Sequence, residues 1–344
     1  MMFQDKSKIF DNRMTCKLKF ILIAVLLLCS GANAAKFSGE SFSLGVGARG
    51  LAMGGAVIAG PFDGTASYWN PAGMNYLNHR HIVAMHAETF GSLLNHDYVA
   101  YIDSRPRDKG KISAFGFYFY YLGGGGIKIT QLDQFNRPYV VREESHADIL
   151  LAASLSGKIN RKIDFGMSAK IIYRDIGTES GQGLTMDAGL LYQVNPAIRL
   201  GLMVSDVTSG FIRYGGGSII EPIDTSGQAT ETKSSTESIL PTVKPGLMIE
   251  KYLKQVSARF AASGDIKFEN LKAAAQYWSG SLSLDTHFGL ELGYRGLVFG
   301  RTGFDIGKFT AGGGVDVKNI TIDFAYLHHD ELGETFRVSA GYRF

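Results

Sequence analysis

Apolar and polar residues alternate with a period of two through most of the chain after residue 80. The stretch 162–174 shows the pattern clearly. One face of this stretch is apolar and consists of Ile163, Phe165, Met167, Ala169, Ile171 and Tyr173. The other face is polar or small apart from Ile172, and its members are Asp164, Gly166, Ser168, Lys170 and Arg174. Strict alternation of this kind predicts a β-strand whose two faces meet different surroundings.

The same alternation recurs along the chain and predicts fourteen strands. They cover residues 81–90, 96–104, 111–122, 145–157, 162–175, 183–194, 197–206, 241–251, 254–266, 285–295, 297–305, 308–317, 319–328 and 334–344. The number is even, as single-chain bacterial outer-membrane barrels require. We therefore predict an all-β fold, a 14-stranded antiparallel transmembrane β-barrel.

The polar faces favour a barrel over a soluble sandwich. A sandwich also alternates, but its apolar faces need a shared core and its sheet edges need protection. Here the polar face carries charges of both signs, as expected of a barrel lumen. The predicted lumen charges are Asp148, Asp164, Lys170, Arg174, Asp187, Arg199, Arg259, Glu291, Arg301, Asp323, Arg337 and Arg343. We expect them to pair internally. The alternative is that some anchor the N-terminal segment, with Arg49 reaching a lumen carboxylate.

The lengths of the connections predict the orientation of the barrel. With both chain ends in the periplasm, the long connections 123–144, 207–240 and 267–284 all lie outside. The connections after even-numbered strands are short, which is the asymmetry expected of outer-membrane barrels. The tract 215–238 is rich in Gly, Ser, Thr and Glu and predicts a solvated loop, with partner binding as an alternative.

A secretory signal precedes the barrel. Lys17 and Lys19 come before an apolar run at 20–28, and the small residues around Ala34 form a cleavage site. The apolar run is shorter than the about 20 residues that a transmembrane helix needs. We predict cleavage after Ala34, with Met14 as an alternative start. A lipoprotein signal at Cys29 is less favoured because Leu28, rather than a small residue, precedes it.

Charge and cysteine content narrow the function. The net charge of +3 equals the excess of basic residues within 1–34, so the remaining chain is neutral and a nucleic-acid partner is not favoured. Both cysteines lie in the same segment, so the mature chain has no thiol chemistry. Neither a Gly-x-Ser-x-Gly element nor a metal-ligand spacing occurs. We predict no enzymatic activity, no metal and no cofactor.

Residues 35–78 differ from the rest because they are rich in Gly and Ala, poor in charge and without a period of two. Two blocks stand out, and their residues are Gly47, Ala48, Arg49, Met53, Gly54, Gly55, then Asp63, then Trp69, Asn70, Pro71, Ala72 and Gly73. Their order and spacing resemble the N-terminal segment of the PorV/PorQ family, within the FadL-like group of outer-membrane barrels. The resemblance implies a lumenal hatch at 35–78 and a barrel at 79–344.

The chain ends on an amphipathic strand with Tyr342 and a terminal Phe344. This ending resembles the signal that the outer-membrane barrel assembly machinery recognises. The last strand must also pair with the first, because an open sheet edge is not tolerated in lipid. We therefore expect Tyr342 and Phe344 to act during assembly.

The function follows only from the resemblance. FadL-like barrels pass hydrophobic molecules such as fatty acids, using an apolar pocket against the hatch and often a lateral opening. PorV-like relatives are accessory barrels in type IX protein secretion and surface attachment. A structural barrel without transport is a third alternative. The expected location is the outer membrane of a Gram-negative (diderm) bacterium. The expected partners are outer-membrane lipid, lipopolysaccharide, the assembly machinery, and hydrophobic small molecules or secreted proteins.

Overall fold

The computed structural model describes residues 39–89, 93–104, 111–177, 179–215, 236–268, 275–328 and 333–344. The predicted signal, its cleavage site and both cysteines lie outside the described residues, as does most of the 215–238 tract. Within the described part, no helix has the length and apolar character needed to cross a membrane.

Seventeen antiparallel strands form one sheet. They are β1 (Arg80–Thr89), β2 (Leu94–Asp103), β3 (Ile112–Leu132), β4 (Pro138–Lys158), β5 (Ile163–Asp175), β6 (Ser180–Asn195), β7 (Ile198–Ser205), β8 (Phe211–Gly215), β9 (Thr236–Ser238), β10 (Thr242–Leu253), β11 (Val256–Phe268), β12 (Tyr277–Ser279), β13 (Leu282–Tyr294), β14 (Val298–Asp305), β15 (Lys308–Val317), β16 (Ile320–Leu327) and β17 (Thr335–Arg343).

The sheet closes on itself. β1 pairs with β17 from His81–Arg343 to Glu88–Phe336. Because β7 also pairs with β10, and β11 with β13, the short strands β8, β9 and β12 are additions to a ring of 14 strands. The predicted 14-stranded barrel is confirmed, and every predicted strand has its counterpart in the ring. Closure gives each of the 14 described strands of the ring a partner on both sides, which lipid requires.

The two faces of the wall have the predicted character. Outward side chains such as Ile171, Leu200 and Val338 are exposed, and they form an apolar outer surface. Their neighbours in sequence, such as Lys170 and Arg337, point inward and are buried. An apolar exterior around a polar interior is the arrangement of a barrel that spans a lipid bilayer.

The prediction of a long loop at 123–144 is wrong. β3 continues to Leu132 and β4 begins at Pro138, so a β-hairpin projects beyond the barrel, with register shifts between Gly124 and Ile127. The cause is the glycine run at 123–126, which has no side chains to mark a face and so hides the alternation. Leu132 and Phe135 at its outer end are exposed.

Tyrosines on β3 also depart from expectation. Near the predicted ends of strands, either an interfacial aromatic girdle or ordinary packing would use tyrosines, and the sequence places Tyr101, Tyr118, Tyr120, Tyr121 and Tyr173 there. In the structure both Tyr118 and Tyr120 face the lumen and are buried. A position near the end of a strand suits a girdle, but successive side chains of a strand point to opposite faces. Because Phe117 and Phe119 point outward, Tyr118 and Tyr120 must point inward.

Residues 39–79 lie inside the barrel and are called the lumenal segment below. It contains a 3-10 helix (Glu40–Ser43), α1 (Ala48–Ala52), α2 (Ala66–Trp69) and a second 3-10 helix (Pro71–Tyr76). Proline at the first position of the last helix costs no hydrogen bond there, and Asn70 caps that helix by accepting from the Ala72 N–H at 3.1 Å. The segment then leads directly into β1.

Candidate functional site

Glycines in the wall let the lumenal segment pack backbone against backbone. A Cβ on Gly303 would lie 2.6 Å from the nitrogen of Gly54, and one on Gly289 would lie 2.5 Å from the carbonyl oxygen of Met53. Gly54 itself has a φ of 62°, in the left-handed region that glycine adopts without strain. Gly166 makes the same kind of backbone contact with Ala72, and Gly201 makes it with Ile58. Gly189, Gly246 and Gly312 instead meet side-chain atoms of Asn70, Ile58 and Ala52.

An ion pair joins the segment to the wall between residues far apart in sequence. The Nε and Nη2 atoms of Arg49 donate to the two carboxylate oxygens of Glu291, each at 2.9 Å. Glu291 is fully buried and also accepts from Arg259 and Arg301, each at 2.6 Å. Arg301 reaches Asp323 at 2.7 Å. Three guanidinium groups therefore converge on one carboxylate, and one of them belongs to the lumenal segment.

Hydroxyl groups of the wall bind the backbone of the same region. Ser339 Oγ accepts from the Ala48 N–H at 2.6 Å, at the start of α1. Thr310 Oγ1 donates to the Ala52 carbonyl at 3.2 Å, at its end. Because α1 is too short to stabilise itself, these wall contacts stabilise its two ends.

The second motif block ties distant parts of the lumenal segment together. Asn70 Nδ2 donates to the Ile58 carbonyl, and Trp69 Nε1 donates to the Val46 carbonyl, both at 2.9 Å. Asp63 Oδ1 accepts from the N–H of Thr65 at 2.8 Å and forms the turn before α2. Pro71, Ala72 and Gly73 are buried in the helix that follows, while Gly47 and Gly55 have positive φ angles.

The remaining predicted residues lie in separate places. Asp187 pairs with Lys170 at 2.6 Å, away from the cluster at Glu291. Arg199, next to the short turn between β6 and β7, donates to the Ala59 carbonyl at 3.2 Å, and its guanidinium lies 3.9 Å from the ring centre of Tyr76. Arg337 donates to the Gly45 carbonyl at 3.1 Å and to the Leu44 carbonyl at 3.5 Å. Tyr342 and Phe344 stack outward with ring centres 5.8 Å apart.

A cavity lies on the outer side of the lumenal segment, towards the long loops. Aromatic and aliphatic side chains from the segment and from the wall line it, namely Phe42, Ile58, Tyr68, Trp69, Tyr118, Leu150, Ile172 and Ile239. Tyr68 makes edge contacts with Trp69 and Tyr118 at centroid distances of 5.2 and 6.1 Å. Trp69 belongs to the second motif block, but the sequence predicts no cavity at any of these residues. Alternation along the strands places Tyr118 and Ile172 on the inner face, but nothing in the sequence shows that Trp69 contacts them.

Lysines also border the cavity, and each has an acidic partner. Lys170 binds Asp187 and Asp206, Lys244 binds Asp265 at 2.6 Å, and Lys267 binds Glu40 at 2.6 Å. These pairs neutralise the rim of the cavity. The lining of the cavity therefore combines apolar side chains with charges that are already neutralised.

The barrel wall is interrupted beside the cavity. The pairing of β7 with β10 ends at Ser205–Thr242, and that of β8 with β9 begins at Phe211–Ser238. Between these ladders the N–H of Ile239 donates to the Gly210 carbonyl at 2.6 Å. Since Ile239 also lines the cavity, the irregular backbone lies between the cavity and the outer surface.

No protein-family model matches the sequence, and no curated protein matches it. Several solved structures share its fold. The Ralstonia pickettii toluene transporter TbuX aligns with a TM-score of 0.54 and 16% identity, over 87% of this chain and 98% of that one. The CymD monoaromatic hydrocarbon channel aligns with a TM-score of 0.56 and 12% identity, over 88% of this chain and 98% of that one. The Pseudomonas putida toluene transporter TodX aligns with a TM-score of 0.51 and 11% identity, over 87% of this chain and 98% of that one.

At these identities the likeness establishes the fold. The chain is an outer-membrane-type β-barrel with the architecture of these proteins, and its apolar exterior suits the outer membrane, whereas membership of the FadL-like group stays a prediction. The narrower resemblance to PorV/PorQ stays a prediction.

Proposed function

We propose that this barrel passes hydrophobic small molecules across the outer membrane and binds them in the cavity above the lumenal segment. The observation that carries the proposal is the cavity itself, where Tyr68, Trp69 and Tyr118 meet aliphatic side chains and the bordering lysines are paired with carboxylates. Ligand sites of proteins combine apolar and aromatic side chains with polar groups that fix the orientation of the ligand. The barrels that share the fold include proteins described as a toluene transporter and as a monoaromatic hydrocarbon channel.

The lumenal segment acts in this proposal as a plug. A barrel of about eight strands is filled by its own side chains, so a 14-stranded lumen needs further material to stay closed. The segment supplies that material and forms the floor of the cavity through Ile58, Tyr68 and Trp69. The wall interruption at 206–210 and 239–241 is the proposed place for sideways passage, because few ladder hydrogen bonds have to break there.

Tryptophan fluorescence tests the proposal directly. The chain has two tryptophans, Trp69 in the cavity and Trp278 exposed on β12. In a Trp278→Phe background, titration of the purified protein with toluene and with 1-decanol should change the Trp69 emission in a saturable way, because the ligand contacts the indole.

A matched pair of substitutions provides the control. Ile172→Ser alters a cavity residue, whereas Ile171→Ser alters its neighbour on the lipid-facing surface. Binding should weaken in the first variant and stay unchanged in the second. A signal that rises without saturation, or that both variants reduce equally, would mean that the probes only partition into detergent.

A second candidate is an accessory role in protein secretion or surface attachment, as in PorV-like barrels. The projecting hairpin of β3 and β4 supports it, because Ile127, Leu132, Phe135 and Tyr139 are exposed at its outer part. Apolar clusters on an exposed surface often mark protein interaction sites. Replacing 125–141 with a tight turn should then reduce the proteins that a protease can release from the cell surface, while Trp69 still reports ligand binding. An unchanged surface profile argues against this role.

We further propose that Tyr342 and Phe344 serve as the assembly signal and that lipid and lipopolysaccharide surround the apolar exterior. The outward orientation of Tyr342 and Phe344 supports the assembly role, since a side chain that faces the lipid is accessible to a partner during insertion. The ring of Phe344 also lies 6.3 Å from that of Tyr101 on β2, next to the β1–β17 seam.

A further inference from the structure

A groove lies on the outer, lipid-facing surface of β3, β4 and β5. Its floor is formed by Ala153 and Ala169, which are cross-strand partners on β4 and β5. The larger side chains of Phe117, Leu151 and Ile171 surround these two alanines, and each of the three is more than half exposed. The groove has a volume of about 500 Å³, within the range of small-ligand sites.

The wall behind the groove is continuous. Ala153 pairs with Phe117 on one side and with Ala169 on the other, and neither ladder has a register shift at these residues. The sheet itself therefore separates the groove from the lumenal cavity. The groove is a depression in the surface that faces the bilayer, so a molecule that occupies it comes from the membrane.

Four cations lie at the nearer end of the same strands. Lys158, Arg161 and Lys162 belong to the β4–β5 turn, and Lys111 precedes β3, where its carbonyl accepts from the Lys158 N–H at 3.0 Å. All four side chains are exposed, and among the described residues none of them has a carboxylate within 4.0 Å. Asp164, the acidic residue that follows in sequence, is buried on the lumen side. The end of β3–β5 therefore presents a local excess of positive charge.

The separation of the groove from these cations matches the depth of one bilayer leaflet. Ala153 precedes Lys158 by five residues, which is about 17 Å along the strand. Because the strands of outer-membrane barrels are tilted by about 45°, the groove lies about 12 Å from the turn along the membrane normal. Half of the hydrocarbon core is about 15 Å thick. A lipid with its headgroup at the turn can therefore place an acyl chain in the groove.

We infer that the groove and the β4–β5 turn form a binding site for one anionic phospholipid of the surrounding bilayer. The acyl chain lies over Ala153 and Ala169, and the phosphate lies at the cations of the turn. Lysine and arginine donate charge-assisted hydrogen bonds to phosphate, and basic clusters beside a membrane attract anionic lipids. With both ends of the barrel sequence in the periplasm, as the connection lengths predict, this turn lies at the leaflet that consists of phospholipid. The site is independent of the proposed transport, because it faces the bilayer and not the lumen.

Native mass spectrometry of the mature protein in detergent tests the inference. The probes are phosphatidylglycerol and phosphatidylcholine with identical acyl chains, which differ in the net charge of the headgroup. Each barrel should retain one molecule of phosphatidylglycerol and bind it about fivefold or more tightly than phosphatidylcholine, a difference of about 1 kcal/mol.

Two matched triple variants locate the headgroup. The first removes the cations of the proposed site and should abolish the preference for phosphatidylglycerol, leaving only the weaker binding that both lipids share. The second removes three exposed cations from other turns at the same end of the barrel and should keep the preference. The substitutions are Lys158→Gln, Arg161→Gln and Lys162→Gln in the first variant, and Lys251→Gln, Lys254→Gln and Lys318→Gln in the second.

A second pair of variants locates the acyl chain. Ala169→Leu fills the floor of the groove and should weaken the binding of both lipids about fivefold or more. Ala311→Leu makes the same change on the outer face of β15, on the opposite side of the ring, and should weaken neither.

Equal binding of the two lipids by wild type would overturn the inference, whether or not any variant folds. Equal loss in both triple variants would also overturn it, because the attraction would then belong to the whole positive rim. Retention of lipid A in place of phosphatidylglycerol, or a mass of two barrels without lipid, would assign the groove to lipopolysaccharide or to a second copy of this chain instead. Saturable binding of toluene at Trp69 is measured separately, so these outcomes leave the proposed transport untouched.

Discussion

Gly303 on β14 provides a sharp test of how the lumenal segment is held. A Cβ added there would lie 2.6 Å from the Gly54 nitrogen, the Met53 carbonyl carbon and the Phe288 carbonyl oxygen. Real Cβ atoms essentially never approach another heavy atom within 3.0 Å, so the backbone must move by about 0.4 Å or more. Gly300 lies three residues earlier on the same strand, and a Cβ there would meet nothing within 4 Å.

Two effects of a Gly→Ala substitution compete. The less flexible unfolded chain stabilises the folded protein by about 0.4–1 kcal/mol at a compatible site. Overpacking of a filled interior destabilises it by about 1–3 kcal/mol. Gly300→Ala experiences only the first effect and should be neutral or slightly stabilising. Gly303→Ala experiences both, and we expect a net loss of about 0.5–2 kcal/mol.

Urea unfolding in lipid vesicles measures the difference in the free energy of unfolding between the two variants. Planar-bilayer conductance shows whether the lumenal turn or the barrel wall moves. β14 is paired on both sides by β13 and β15, whereas residues 53–55 form a turn, so the turn should move and small ions should begin to leak. Equal changes in the free energy of unfolding for Gly303→Ala and Gly300→Ala would refute the close packing of the turn against the wall.

The remaining predictions concern the ion cluster, the lipid face, the plug and the C-terminus. Glu291→Gln leaves three guanidinium groups without their carboxylate and should destabilise the protein by about 3–5 kcal/mol in the same unfolding assay. Leu200→Arg should cost about 2–4 kcal/mol near the bilayer midplane, and Arg199→Gln next to it much less; equal costs would remove the two-face assignment. Deleting residues 37–66 should convert a closed barrel into a stable open channel, and wild type that already conducts like a porin would contradict the plug. Deleting Phe344 removes about 2 kcal/mol of apolar burial, so insertion into vesicles should slow more than stability falls.

The sequence alone was sufficient for the barrel. A period of two is a local property of the chain, because successive side chains of a strand point to opposite faces wherever the strand lies. The number of strands and their inward and outward faces follow from this period, whereas the orientation expected from the lengths of the connections stays a prediction. Where side chains are missing the signal fails, and the glycines at 123–126 therefore hid the continuation of β3 and β4.

Candidate residues could be named from the sequence, but their partners could not. Arg49 and Glu291 are separated by 242 positions, and they meet because closure of the ring and the path of the lumenal segment bring them together. The glycine motif indicated close approach of backbones, yet only the structure shows that Gly54 packs against Gly303.

The cavity and the surroundings of Arg337 are decided entirely by the tertiary structure. Trp69 and Tyr118 reach the same space because the segment folds back into the lumen. Arg337 looks in sequence like every other inward arginine, such as Arg301. It differs because the wall around Arg301 supplies carboxylates, whereas the surroundings of Arg337 supply only backbone carbonyls and a neutral histidine. Alternation determines which side of the wall a charge faces, and the register of the closed barrel determines which groups it meets there.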